Sequence, residues 1–213
     1  AHMAQGNTAS GFEELEQITL ADKGITADLA LIAAYLRTNQ PDKALRAIDS
    51  LEKKQLDNAA THNLRARTLL SKKDIPGARQ SFEKALAINP GFFPAAASLA
   101  AIDLTEKKPE DARKRFEAVL AADPKNIQAM LALAELKAAA GGTTDEVASL
   151  ISKAVTTNPS EVAPRLALIQ FYLNKKDGKK ALTAANDAAA AIPDKPEILD
   201  ALGRTQQFSG DFN

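Results

Sequence analysis

The hydrophobic pattern is clearest between residues 127 and 159. From Ile127 to about Ala140, Leu133, Leu136 and Ala140 recur at the three- and four-residue spacing of one helical face. The turn GGTTDE follows. Thr143 or Thr144 is placed to cap a second helix, and Asp145 and Glu146 in its first turn favour the positive end of the helix dipole. From Glu146 to Thr156 the residues Val147, Leu150, Ile151 and Ala154 share a face, and Asn158-Pro159 ends the run. The prediction is a hairpin of two amphipathic helices closed by a proline corner.

The corner recurs. Pro90, Pro124, Pro159 and Pro193 are spaced by 34, 35 and 34 residues. A second marker, Ala44, Ala78, Ala112, Val147 and Ala181, is spaced by 34, 34, 35 and 34. Both markers take their one extra residue near Gly141-Gly142-Thr143-Thr144, so they share a register. A fixed period of this length is the mark of stacked supersecondary units. The units run 25–58, 59–92, 93–126, 127–161 and 162–195. Residues 11–24 read as the second helix of an incomplete unit and 196–213 as the first helix of another, with Gly210-Asp211 beginning a turn. Ala1-His2-Met3 reads as an expression scar, and residues 1–10 as a disordered lead. The whole is expected to be one continuous solenoid domain, a piece of a longer array.

A helical pair of this length resembles the tetratricopeptide repeat, or TPR. The large residue at repeat position 7 is Leu31, Leu99, Leu133, Leu168 and Leu202, and the small one at position 8 is Ala66, Ala100, Ala134 and Gly203. Position 24 carries Ile48, Phe82, Phe116 and Ile151. Small residues let the paired helices approach, and large ones fill the space between layers. On that logic Gly203→Leu should overpack. Departures are Ile32 and Ile169 for small residues, Arg65 for leucine, Ala185 for a large residue and Leu56 for proline, with Asp103 and Lys137 where an aromatic is usual. The resemblance implies an all-α, right-handed superhelical TPR solenoid of antiparallel helix pairs.

Within that family the run NPGFFPAAASLAAIDLTEKKPEDARKRFEAVLAADPKNIQAMLALAEL, with NPSEVAPRLALIQFYLNKKDGKKALTAA and ILDALGRTQQFSGD, is similar to the TPR lipoproteins of the PEP-CTERM/exosortase system. That likeness implies a periplasmic or outer-membrane-anchored protein of a Gram-negative bacterium, serving exopolysaccharide production and protein sorting, with a lipid anchor on the full-length protein.

Composition narrows the chemistry. Lys plus Arg equals Asp plus Glu at 27 each, without the basic surplus of a nucleic-acid binder, so no nucleic-acid partner is expected. Cysteine is absent, which removes disulfides, thiolate metal sites and cysteine nucleophiles. No apolar run approaches the ~20 residues of a membrane span. With His2 in the scar, His62 is the one histidine left to act as a base, and it reads as a packing residue. Glu13-Glu14, Glu110-Asp111 and Asp145-Glu146 read as helix-end electrostatics. The lysine clusters LEKKQ, SKKD, TEKKPED and NKKDGKK read as solvated turn charge. No catalytic residue, cofactor or metal site is expected, and the protein is not expected to be an enzyme.

What the resemblance implies instead is a concave face lined by the first helix of each repeat. Carried onto this chain, the face comprises Leu29, Asn63, Arg67, Leu104, Gln128, Leu131, Glu135, Leu166, Gln170, Asn174 and Arg204. Apolar rows with polar groups between them suit an extended peptide or an amphipathic helix. The expected function is a protein–protein interaction scaffold. Direct carbohydrate binding, or service as an arm of a glycan-synthesising complex, is the alternative. The absence of Trp, with only Tyr35 and Tyr172 beside eight Phe, weighs against direct sugar stacking.

Overall fold

The computed structural model describes residues 8–21, 24–54 and 58–209. The expectations for Leu56, for Gly210-Asp211 and for residues 1–7 lie outside them. Twelve helices and no strands are present among the described residues. They are α1 (Thr8–Ala21), α2 (Thr26–Arg37), α3 (Pro41–Lys54), α4 (Ala59–Ser71), α5 (Ile75–Ile88), α6 (Phe93–Thr105), α7 (Pro109–Ala122), α8 (Ile127–Ala139), α9 (Thr144–Thr157), α10 (Val162–Asn174), α11 (Gly178–Ala191) and α12 (Pro196–Ser209). Packing divides the chain into two compact units, Ala1–Leu99 and Ala100–Asn213, with the boundary inside α6.

The turns repeat as faithfully as the helices. Asn39, Lys73, Lys107, Gly141 and Lys176 all have positive φ, at 54°, 63°, 60°, 80° and 58°, and each follows the first helix of its pair. The left-handed residue turns the chain and lets the following amides cap the helix carbonyls. Thus Lys107 and Lys108 donate to the Leu104 and Asp103 carbonyls at 3.0 and 2.8 Å. Only at 141 is the residue glycine, so three lysines occupy a conformation that costs an L-residue roughly 1–2 kcal/mol.

In the first unit, successive helices from α1 to α5 pack in chain order. Leu31, Ile32, Tyr35, Ala44, Ile48 and Leu51 form the core, covered by Phe12, Leu15 and Leu64. Phe12 stacks on Tyr35 with ring centroids 4.7 Å apart. Tyr35 donates a hydrogen bond to Glu16; burial, then this carboxylate, push the phenol up to about 12. Asp28, 1% exposed, is held by Lys54 Nζ at 2.7 Å. Arg65, where leucine was expected, lies against α3: Nε and Nη2 donate to Glu52 at 2.8 and 2.9 Å, and Nη2 donates to Asp49 at 2.5 Å. A charged fork here replaces apolar interlayer packing.

In the second unit α7 to α12 also pack consecutively, and α8 touches α10 as α10 touches α12. These skip-one contacts bring the first helices of neighbouring pairs together. Ala134, Val147 and Ile151 form one core cluster. A second comprises Ile169, Ala185, Ala188, Ile198 and Ala201. Ile169 and Ala185, both departures from the repeat pattern, lie in the same cluster. A large residue at one position meets a small one at the other, so volume is conserved across the helix pair. Asp103, at an aromatic position, is 1% exposed and accepts from Arg115 Nε at 3.1 Å.

Two packing expectations fail. Leu133 is only half-buried, where its counterpart Leu99 is fully buried. It lines an open cleft of about 620 Å³ with Leu104, Leu136 and Leu150. Lys137 replaces the aromatic beside it and turns to Glu146 at 2.8 Å, so it does not fill the gap. Gly203 is exposed, and no heavy atom lies within 4 Å of a Cβ built on it. The predicted overpacking has nothing to clash with among the described residues.

Candidate functional site

Four of the eleven sequence-predicted residues, Leu131, Glu135, Gln170 and Asn174, meet at one place in the second unit. A cleft of about 260 Å³ lies between α8 and α10, with α9 beneath. It takes Leu131, Glu135 and Ala138 from α8, and Ala167, Gln170, Phe171 and Asn174 from α10. Within each set, residues three or four apart share a helix face. Ala134, Val147 and Ile151, all nearly fully buried, form the floor.

Local sequence holds this geometry. Asn126 caps α8, its Oδ1 accepting from the Ala129 amide at 3.0 Å. Gly141 ends that helix in the left-handed region. A β-carbon on Gly142 would come within 2.7 Å of the Lys137 carbonyl oxygen, so the turn needs glycine there as well. Thr143 and Glu146 form the capping box of α9, the Thr143 amide donating to Glu146 at 2.8 Å. The Lys137 hydrogen bond, then that amide, hold the Glu146 carboxyl below its usual range. Small residues at 134, 138 and 167 leave the cleft open.

The rim is polar. Gln170 Nε2 donates to Asn174 Oδ1 at 2.8 Å. This bond leaves Gln170 Oε1 as an acceptor and Asn174 Nδ2 as a donor, side by side on an exposed helix face. Glu135 is exposed and makes no ion pair among the described residues.

The other expected residues stand elsewhere. Gln128 is exposed at the start of α8, and Leu166 is half-buried against the α10–α11–α12 core. Leu104, 44% exposed, lines the larger cleft instead. Arg204 is exposed and paired with Asp200 at 2.9 Å. Leu29 and Arg67 are exposed in the first unit. Asn63, in the same unit, is buried with no hydrogen-bond partner for Oδ1 among the described residues. His62 is half-buried; its Nδ1 lies 3.2 Å from Glu52 Oε1 but outside hydrogen-bonding geometry. Both Glu52 oxygens are engaged by Arg65.

Sequence reasoning missed Phe171 and the α9 floor, whereas repeat position does put Ala138 on the concave face. Phe171 was reachable from its place three residues before Asn174 on the same helix face; Val147 and Ile151 were legible only as core. Among the described residues no three His, Asp or Glu side chains gather into a metal site, and no helix is long and apolar enough to cross a membrane.

The fold defines an all-α protein built of repeated helix hairpins. Two family models described as tetratricopeptide repeat match, over residues 29–91 and 103–143, and the chain carries tetratricopeptide repeats. A comparison with curated proteins found no match. Yeast Tom70 aligns with a TM-score of 0.68 at 16% identity, over 93% of this chain and 43% of that one. PilF of Pseudomonas aeruginosa gives 0.56 at 14% identity, over 94% and 87%. A chain of the APC/C hetero-tetramer Cut9–Hcn1 gives 0.51 at 13% identity, over 96% and 41%. This chain therefore spans less than half of the Tom70 and Cut9–Hcn1 chains. At such identities the likeness is one of fold, the TPR solenoid class. That fold suggests a protein–protein interaction scaffold, and TPR-repeat proteins are generally non-catalytic.

Proposed function

We propose that this protein is a non-catalytic interaction scaffold that seats a segment of a partner protein in the α8–α10 cleft. The observation that carries this reading is the meeting of Leu131, Glu135, Gln170 and Asn174 around one apolar-floored cleft. An apolar floor contributes affinity through burial, and a few polar rim groups set register. The floor is built from packed helices, so little conformational entropy is lost on binding.

The sequence likeness to PEP-CTERM-system lipoproteins supports a narrower setting: a periplasmic or outer-membrane-anchored scaffold in bacterial exopolysaccharide export and protein sorting. Loss of sorting of PEP-CTERM-tailed proteins on deleting the gene is the outcome that setting expects.

The binding reading is tested by selecting linear peptides, displayed on phage, against the immobilised chain. Ala138→Trp should plug the cleft without touching the core, since Ala138 is exposed, and should abolish capture of the selected peptides while circular dichroism stays unchanged. Peptides retained equally by Ala138→Trp and Leu131→Asp would place binding elsewhere and overturn the assignment.

A further inference from the structure

Resting on the α8–α10 cleft as the binding site, we infer that its occupant is an extended peptide segment bearing an apolar anchor side chain next to a lysine or arginine. Three features point to this chemistry.

The first is charge. Among the described residues, Glu135 is the one ionisable residue lining the cleft. It is exposed and has no ion-pair partner among the described residues. Of the basic groups nearby, Lys137 pairs with Glu146 at 2.8 Å, and Lys175 Nζ sits 5.9 Å from the ring centroid of Phe171, a cleft wall. Neither lines the cleft. A cationic side chain arriving above the floor meets an unneutralised carboxylate, whereas an acidic segment meets a like charge.

The second is the amide pair. Beyond the Gln170 Nε2 to Asn174 Oδ1 bond, the rim still presents acceptor and donor groups, Gln170 Oε1 and Asn174 Nδ2 among them. Those are the complements of a peptide N–H and C=O. An α-helical ligand has already used its own backbone groups, whereas an extended one has them free. The pair therefore selects an extended main chain.

The third is size. A cleft of about 260 Å³ floored by Ala134, Val147 and Ile151, with Leu131 and Phe171 as walls, holds one anchor side chain and its neighbours. It does not hold the long apolar ridge of a helix.

The test uses the full chain. Random linear octapeptides are selected on wild type and on Glu135→Lys, and a fluorescently labelled winner is titrated by polarisation. Wild type should enrich Lys or Arg beside Leu, Ile or Phe. Glu135→Lys should enrich Asp or Glu in their place. Glu135→Gln should weaken the basic winner about fivefold in low salt, and the loss should shrink as salt rises. Asn174→Ala should weaken it further without changing the charge preference. A winner that binds more tightly once stapled into a helix would overturn the extended-chain inference. Peptides displaced by Ala138→Trp yet indifferent to Glu135→Gln would overturn the charge inference and leave the scaffold reading standing. Peptides indifferent to Ala138→Trp as well would overturn both.

Discussion

Replacing Gly203 by alanine should stabilise α12, and replacing it by leucine should stabilise it too. Gly203 is the eighth residue of the fourteen-residue helix Pro196–Ser209, well inside both ends. Glycine in a helix interior costs about 1 kcal/mol relative to alanine. Beyond its own helix backbone, a new Cβ would meet no heavy atom of the described residues within 4 Å, and the position is exposed, so no steric cost at Cβ offsets that gain. Alanine should therefore stabilise by about 1 kcal/mol, and leucine by slightly less. Had the repeat pattern governed this position, leucine would instead cost about 1–3 kcal/mol by overpacking. The two accounts differ in sign. Because end helices of a repeat array open more readily than inner ones, the change is best read locally, by amide hydrogen exchange in α12. A gain of about 1 kcal/mol slows exchange there about fivefold. Urea unfolding followed by circular dichroism gives the global counterpart. Faster exchange in both variants would refute the reasoning, because it would mean that a packed neighbour covers Gly203.

Two further outcomes follow from local geometry. Lys107→Gly should stabilise by about 0.5–1 kcal/mol, the relief of left-handed strain less the added chain entropy of glycine, as read by urea titration; a loss would mean the lysine side chain contributes more than its backbone costs. Glu146 is held below the usual carboxylate range, so the folded state binds its proton less readily than the unfolded chain. Its contribution is present above the unfolded value of about 4.3 and is lost as pH falls through the lower folded value. Wild type should therefore lose more thermal stability than Glu146→Gln between pH 6 and pH 3; equal losses would refute the role assigned to the capping box and Lys137.

Periodicity made the helices, their proline corners and the repeat register legible, because a 3.6-residue hydrophobic period and a proline that cannot continue a helix are properties of the chain itself. The small residues that let helices approach, such as Ala66, Ala112 and Ala134, were legible for the same reason, and all three are buried. Other features depend on which side chains meet in space. Ile169 and Ala185 look like two separate defects in the sequence, and only their shared cluster shows that one offsets the other. Asp103 looks like a surface charge, and packing buries it against Arg115.

The cleft divides in the same way. Leu131, Glu135, Gln170 and Asn174 could be named from repeat position, because position on a helix sets the face. That Leu166 belongs to the core, that Leu104 lines a different cleft, and that Val147 and Ile151 form the floor were decided by how three helices pack, which no single helix encodes. Repeat register follows from local chemistry along the chain. Where the repeats leave a hollow follows from side-chain volumes summed across helices distant in sequence, and only the tertiary structure performs that sum.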